Sequence, residues 1–214
     1  FGAAAPMGNF GNIRTRGWEI EVDFNHRFAN GLGLNAMVTV SDAKSTITKY
    51  GSGRDIDGWY NGKTYGEIWG YETDRLYQKS DFVYDENGKI VTTYAYHGKE
   101  TTLAEHPDAR LVNKLSDPNG VYQDRFESGK FHFGPGDVKY KDLDGNGDIW
   151  YGDNTVEKHG DKKVIGNSTP RYEYGFRLGA DWYGVDFSIF FQGVGSRKIW
   201  GSGFLAIPGY NCGD

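Results

Sequence analysis

"WEIEVDFNHRF" (residues 18–28) decides the fold. Trp18, Ile20, Val22, Phe24 and Phe28 fall on alternate positions, and Glu19, Glu21, Asp23, Asn25 and Arg27 fill the gaps. His26 is the one polar break in the apolar row. A period of two belongs to a β-strand, whose successive side chains point to opposite faces. "ANG" (29–31) follows, a tight-turn signal. "LGLNAMVTVS" (32–41) then alternates again, with Leu32, Leu34, Ala36, Val38 and Val40 on one face. The whole reads as a hairpin.

A second hairpin stands near the other end. In "RYEYGFRLGADW" (171–182), Tyr172, Tyr174, Phe176, Leu178, Ala180 and Trp182 share one face. Arg171, Glu173, Gly175, Arg177, Gly179 and Asp181 share the other. "YG" (183–184) turns the chain, and Val185, Phe187, Ile189 and Phe191 resume the alternation. Residues 43–170 lie between the hairpins. They are rich in Gly, Tyr and Asp, with short alternating pieces at 64–78 and 88–98 that predict minor strands. A connection of that length without structure is rare in a compact domain, so it is expected to be functional or partly folded by itself.

Bulk composition narrows the class. The chain has 214 residues, of which 37% are hydrophobic and 16% aromatic, with 32 glycines. That mixture suits strands and turns better than helices. No run of apolar residues is long enough for a membrane-spanning helix, and "FGAAAPMGNFGN" (1–12) does not read as a signal peptide. A net charge of −5 argues against a nucleic-acid surface. A single cysteine, Cys212, excludes an internal disulfide and a multi-cysteine metal site. The histidines are scattered, and neither a nucleophile elbow nor a phosphate loop is present, so no enzyme is expected.

Two architectures fit the alternation. In a soluble sandwich the apolar face looks into a core. In an outer-membrane barrel it looks out to lipid, and the charged face lines a wet lumen. Four features favour the barrel. The alternating runs have the length that a tilted strand needs to cross hydrocarbon. Aromatics (Trp18, Phe28, Tyr172, Trp182) stand at the ends of the apolar rows, as interfacial girdles do. The opposite rows are densely charged. Both tight turns fall on one side and the long segment on the other, the asymmetry of short periplasmic turns and long outer loops. The expectation is therefore an all-β fold of antiparallel strands from a large transmembrane barrel. Barrel strands occupy 1–42 and 171–196, a long extracellular region occupies 43–170, and the next outer loop begins in 197–214. About four long strands are too few to close a barrel, so a piece of a longer chain is expected.

"KYKDLDGNGDIWYGD" (139–153) carries candidate chemistry. Asp142, Asp144, Asn146, Asp148 and Asp153 follow the spacing of a calcium loop, with Gly147 at the sharp turn. Hard cations want six to eight oxygens, so Ca²⁺ or Mg²⁺ is the candidate ion. The flanks do not read as helical, and a glycine-rich turn with solvated carboxylates is the competing reading. Trp59, Tyr60, Tyr65, Trp69 and Tyr71 could stack on sugar rings or press against a partner, or could make a local core. Arg171, Glu173, Arg177 and Asp181 should face the lumen, where they touch solute or pair across strands.

Several of these stretches together resemble one family. "GDVKYKDLDGNGDI" (136–149) and "VIGNSTPRYEYGFRLGADWYGVDFSIFFQGVGSRKI" (164–199) resemble the SusC/RagA-type TonB-dependent outer-membrane transporters of Bacteroidetes. "NIRTRGWEIEVDF" (12–24) and "GEIWGYETDRLYQ" (66–78) resemble earlier strands of that family, and residues 79–135 match least. The resemblance implies a plugged, many-stranded barrel in a Gram-negative outer membrane. It implies import of oligosaccharide or peptide nutrients, TonB acting through an N-terminal part not seen here, and a SusD-like surface lipoprotein as lid. The alternative expectation is a soluble, calcium-stabilised β-module that binds glycan.

Overall fold

The computed structural model describes residues 8–201. Cys212 and most of the expected outer loop after 197 lie outside the described residues. The chain is all-β, with antiparallel sheets, two single-turn 3₁₀ helices and no α-helix among the described residues. Its strands are β1 (Gly11–Arg27), β2 (Gly33–Tyr50), β3 (Glu67–Tyr71), β4 (Thr73–Leu76), β5 (Thr92–Tyr96), β6 (Lys99–Thr101), β7 (Arg110–Asn113), β8 (Val138–Tyr140), β9 (Lys162–Asn167), β10 (Arg171–Trp182) and β11 (Val185–Ser196). They divide between two compact units. Among the described residues the first comprises 8–53, 59–68 and 166–201, and the second 54–58 and 69–165.

The first unit is built on one four-stranded sheet, ordered β1-β2-β10-β11. Both expected hairpins are present. The 29–31 turn closes with the Gly31 N–H donating to the Phe28 carbonyl at 3.0 Å, and Asn30 Oδ1 accepts the Leu32 N–H. At the second turn Tyr183 (φ 47°) and Gly184 (φ 84°) are both left-handed. Such a pair twists with the strands it joins. β2 and β10, on either side of the long segment, pair directly, from Gly33↔Asp181 to Ser41↔Glu173.

The register aligns all four apolar rows. Val22 opposes Val38, Val38 opposes Phe176, and Phe176 opposes Phe191. The next rung down runs Phe24, Ala36, Leu178 and Ile189. Directly opposed residues share a face, so one side of this sheet is apolar from edge to edge. That face is open to its surroundings among the described residues: Ile20 is 57% exposed, Val22 58% and Phe187 60%. Phe176 is half-buried and stacks on Phe191. These residues therefore do not line a core of the alternative, soluble-sandwich kind among the described residues. No closed barrel is formed either, and β1 and β11 each keep one edge unpaired among the described residues.

The strands of the first hairpin outrun the sequence expectation. Pairing begins at Gly11↔Tyr50, so β2 continues eight residues past position 42, into what reads as loop. Apart from the Ile13–Ile47 pair, the facing side chains there are polar on both faces (Arg14, Thr15 and Arg16 against Lys44, Ser45 and Thr46), which erases the alternation. Backbone pairing does not depend on it.

The second unit makes its own core. A three-stranded sheet, β6-β5-β7, and a β4-β8 pair surround Tyr77, Phe82, Ala95, Val112, Leu115 and Tyr122, with Ile90 and Phe133 packed against them. Polar groups inside are satisfied. The Tyr122 hydroxyl accepts the Leu115 N–H, and buried Gln123 bonds the Val138 carbonyl and the Tyr140 N–H. Beside Phe82, the Arg75 fork holds Asp81 through two hydrogen bonds of 2.5 and 2.7 Å. The Arg75 hydrogen bonds, first among the causes, bring the Asp81 carboxyl down from 3.8 to about 2.

Two outcomes follow for this unit. Phe82→Ala removes a buried ring from the core and should cost about 3–5 kcal/mol, read by chemical denaturation. Unaltered stability would show that the ring is not packed as described. The depressed Asp81 pKa means that the folded state binds fewer protons than the unfolded one around pH 3. Its contribution is complete above pH 3.8 and is lost as pH falls toward about 2. Asp81→Asn should flatten that part of the acid-denaturation profile.

Candidate metal centre

The acid-rich loop lies between β8 and β9, entirely within the second unit. Short-range turns shape it. Asp142 accepts N–H groups from Gly145 (2.7 Å) and Gly147 (2.8 Å), one on each carboxylate oxygen. Asp144 accepts the Asn146 N–H, and Asn146 Oδ1 accepts the Asp148 N–H at 2.7 Å. These are the side-chain-to-backbone turns that Asp and Asn make readily.

The loop is held from below by the core sheet. The β5–β6 turn, His97 and Gly98, is left-handed at both positions. Asp124, itself buried, accepts both of its N–H groups. A Cβ on Gly98 would lie 2.0 Å from the Gly147 carbonyl oxygen and 2.9 Å from the Asp148 Cα. Only glycine lets the hairpin tip approach the loop that closely.

Folding adds a third carboxylate. Asp161, the residue just before β9, is fully buried. It accepts N–H groups from Leu143 (2.6 Å), Trp150 (2.8 Å) and, at 3.4 Å, Asp144. One carboxylate oxygen each from Asp142, Asp144 and Asp161 lies within 4.8 Å of the others. No Lys, Arg or His forms an ion pair with any of the three among the described residues. Burial, the largest cause, pushes the Asp161 carboxyl above its usual range; the nearby Asp144 charge adds to this, against the pull of the three N–H groups.

Three converging carboxylates, one of them dry, could hold a metal ion. Their hard oxygens suit Ca²⁺ or Mg²⁺, with water or backbone carbonyls completing the shell. A dication would also offset the cost of keeping Asp161 ionised away from water.

The structure thus brings together only part of the expected ligand set. Asn146 stays within the turn network. Asp148 is engaged by Arg125 at 2.9 Å, and exposed Asp153 by Lys158 at 3.3 Å. Asp161 carries no signal in the sequence, because it lies beyond the span of the calcium-loop pattern. Its contact with Asp142 is made by the return of the chain into β9.

The five aromatics divide between the units. In the first, Trp59 and Tyr65 stack at 5.9 Å, and Lys63 lies over Trp59 and Tyr60. Tyr60 is buried, and its hydroxyl bonds Glu67. In the second, Trp69 packs on His159, and Tyr71 on Phe126 and Tyr140. Tyr60 and Tyr71 fill local cores, while Trp59 and Tyr65 keep about half their surface open. Of the four expected lumenal charges, Glu173, Arg177 and Asp181 share a face with Ser41, Met37 and Gly33. Asp181 pairs with Arg27 at 2.7 Å. Arg171 closes both arms of its fork on Asp42, next to the left-handed Tyr172, so its head group is spent within the sheet.

A scan against models of known protein families finds no match to this chain, and a search of curated proteins finds none.

Metal binding has a discriminating test. Calcium added well above its dissociation constant should raise the melting temperature of the second unit, as any ligand of the folded state alone must; about 2.7 kcal/mol is gained at a hundredfold excess. Asp161→Asn should abolish that response, and Asp153→Asn should leave it intact. The reverse pattern would place the ion on the linear loop motif.

Proposed function

We propose that this chain forms part of the wall and one folded outer module of a TonB-dependent outer-membrane importer of the SusC/RagA type. Its cargo is an oligosaccharide or peptide nutrient, and a SusD-like lipoprotein serves as its lid. One observation carries the reading: the apolar face of the β1-β2-β10-β11 sheet, bounded by Trp18 and Trp182 and interrupted on β1 by His26, with Ile20, Val22, Phe24, Trp182 and Phe187 each more than half exposed. Leaving a buriable Val, Ile or Phe in water forfeits about 1.5–3 kcal/mol each. A contiguous face of this kind needs a non-aqueous neighbour. Lipid meets that need, and the charged opposite face then borders a hydrated passage. The bare edges of β1 and β11 would be covered by further strands of the same barrel, since long open edges invite aggregation.

The second unit supports the outer-module part of this reading. It has a closed core and satisfied polar groups, as a segment standing in water requires. In the first unit, the exposed Trp59–Tyr65 stack offers a flat surface on which a sugar ring could lie. The soluble, calcium-stabilised alternative draws on the same core and acid cluster, but it leaves the apolar face without an occupant.

Site-directed fluorophores on the intact protein test the orientation, in a Cys212→Ser background. Labels at Ile20→Cys and Phe187→Cys should be quenched by lipid-phase quenchers, and labels at Glu21→Cys and Ser188→Cys by aqueous iodide. Iodide access to both sets would sink the importer reading.

A further inference from the structure

Three cations stand on the apolar face of the four-stranded sheet, one step beyond its apolar zone. Arg16 and Arg14 continue the row of Trp18, Ile20 and Val22 along β1 with no register shift between them. Arg16 opposes Lys44, and Arg14 opposes Thr46. With Thr48 these side chains line a shallow groove of ≈ 320 Å³. Arg14, Arg16 and Lys44 are exposed, and none of them pairs with an acid among the described residues. The acid nearest in register on that face, Asp42, is occupied by Arg171. Ile47, on the opposite side of β2, is buried, so the groove opens on the apolar face alone.

Like charges on facing strand positions repel one another. A cluster left without a carboxylate calls for an external anion, and several N–H donors converging from two strands suit a phosphate oxygen set. Position specifies the rest. Successive same-face residues are separated by about 7 Å, so Arg16 lies one such step from Trp18. If the rows below meet acyl chains, this is the depth of the headgroups. The short turns at 29–31 and 183–184 lie at the other end of the strands, so the groove belongs to the outer leaflet.

We infer that Arg14, Arg16 and Lys44 form a docking groove for the phosphate groups of an acylated, phosphorylated lipid of the outer leaflet. This rests on the lipid-facing orientation proposed above. Arginine and lysine at the edge of the apolar zone attract anionic headgroups, and each such charge is worth roughly a factor of five in binding. The arginines supply forked donors, and Lys44 adds a point charge.

The test uses the intact protein in phosphatidylethanolamine nanodiscs, with retention of diphosphorylated and dephosphorylated lipid A read by mass spectrometry. The unaltered protein should retain the diphosphorylated form selectively. Combined Arg14→Gln, Arg16→Gln and Lys44→Gln should lower its apparent affinity on the order of a hundredfold. Arg14→Lys with Arg16→Lys should keep most of it. Lipid-phase quenching at Phe187→Cys, measured in the same variants, reports on folding and membrane insertion independently. Preserved quenching with undiminished lipid A retention in the triple variant overturns the inference while the importer reading stands. Lost quenching of the Phe187→Cys label with Arg14, Arg16 and Lys44 in place overturns the reading itself, and the groove with it. Displacement of lipid A by millimolar inorganic phosphate would reassign the groove to a free anion and overturn the lipid proposal.

Discussion

The register of one antiparallel sheet governs this molecule. Because pleated strands present alternate residues to alternate faces, a slip of one residue in any pairing would mix the apolar and charged rows. No such slip occurs from Ile13↔Ile47 to Arg27↔Gly33, or across the β2–β10 and β10–β11 pairs. Four separate alternations therefore add up to a single greasy surface and a single mainly polar one, which carries the charges of β1 and β10 together with Met37 and Phe190. The ionic side is tied across the sheet near the turns by Arg27 and Asp181. The greasy side has no counterpart within the described residues.

The two units solve the burial problem in different ways. Residues 69–165 enclose Tyr77, Phe82, Val112 and Leu115 among short strands, leaving their solvent side polar. The long strands bury Ile47 on one side, but their apolar rows enclose nothing among the described residues. Their large residues are displayed, and their stability must come from whatever lies against them. This contrast underlies the proposal that one unit stands in water and the other in lipid. The cations at Arg14, Arg16 and Lys44 mark the height on β1 and β2 where one environment would give way to the other.

The acid-rich loop shows how local turn chemistry and tertiary packing divide the labour. Asp142, Asp144 and Asn146 fold the loop on themselves through side-chain-to-backbone bonds, which need nothing distant. The buried negative charge comes from outside that local pattern. Asp161 arrives with the chain that enters β9, and Gly98 lets a core hairpin pack beneath the loop. A carboxylate kept dry and raised in pKa beside two others is costly for a bare fold, which is the physical ground for expecting a cation there.

By itself the sequence determined what a period of two can determine. The hairpins at 18–41 and 171–192, their turns and the sidedness of their rows all follow from residues adjacent along the chain, as does the pairing of Asp142 with Asp144 in one turn-rich loop. Other features depend on contacts between distant residues. The extension of β2 to Tyr50 is invisible where both faces are polar, because backbone pairing leaves no mark in side-chain polarity. The core of 69–165 draws on residues from Tyr77 to Phe133 without a regular period. Asp161, the diversion of Arg171 to Asp42, and the separation of Trp59 and Tyr65 from Trp69 and Tyr71 are products of chain return. Only tertiary structure decided these, because a carboxylate or an arginine takes its partner from what folding brings within about 3 Å of it, and neighbours in sequence do not specify that.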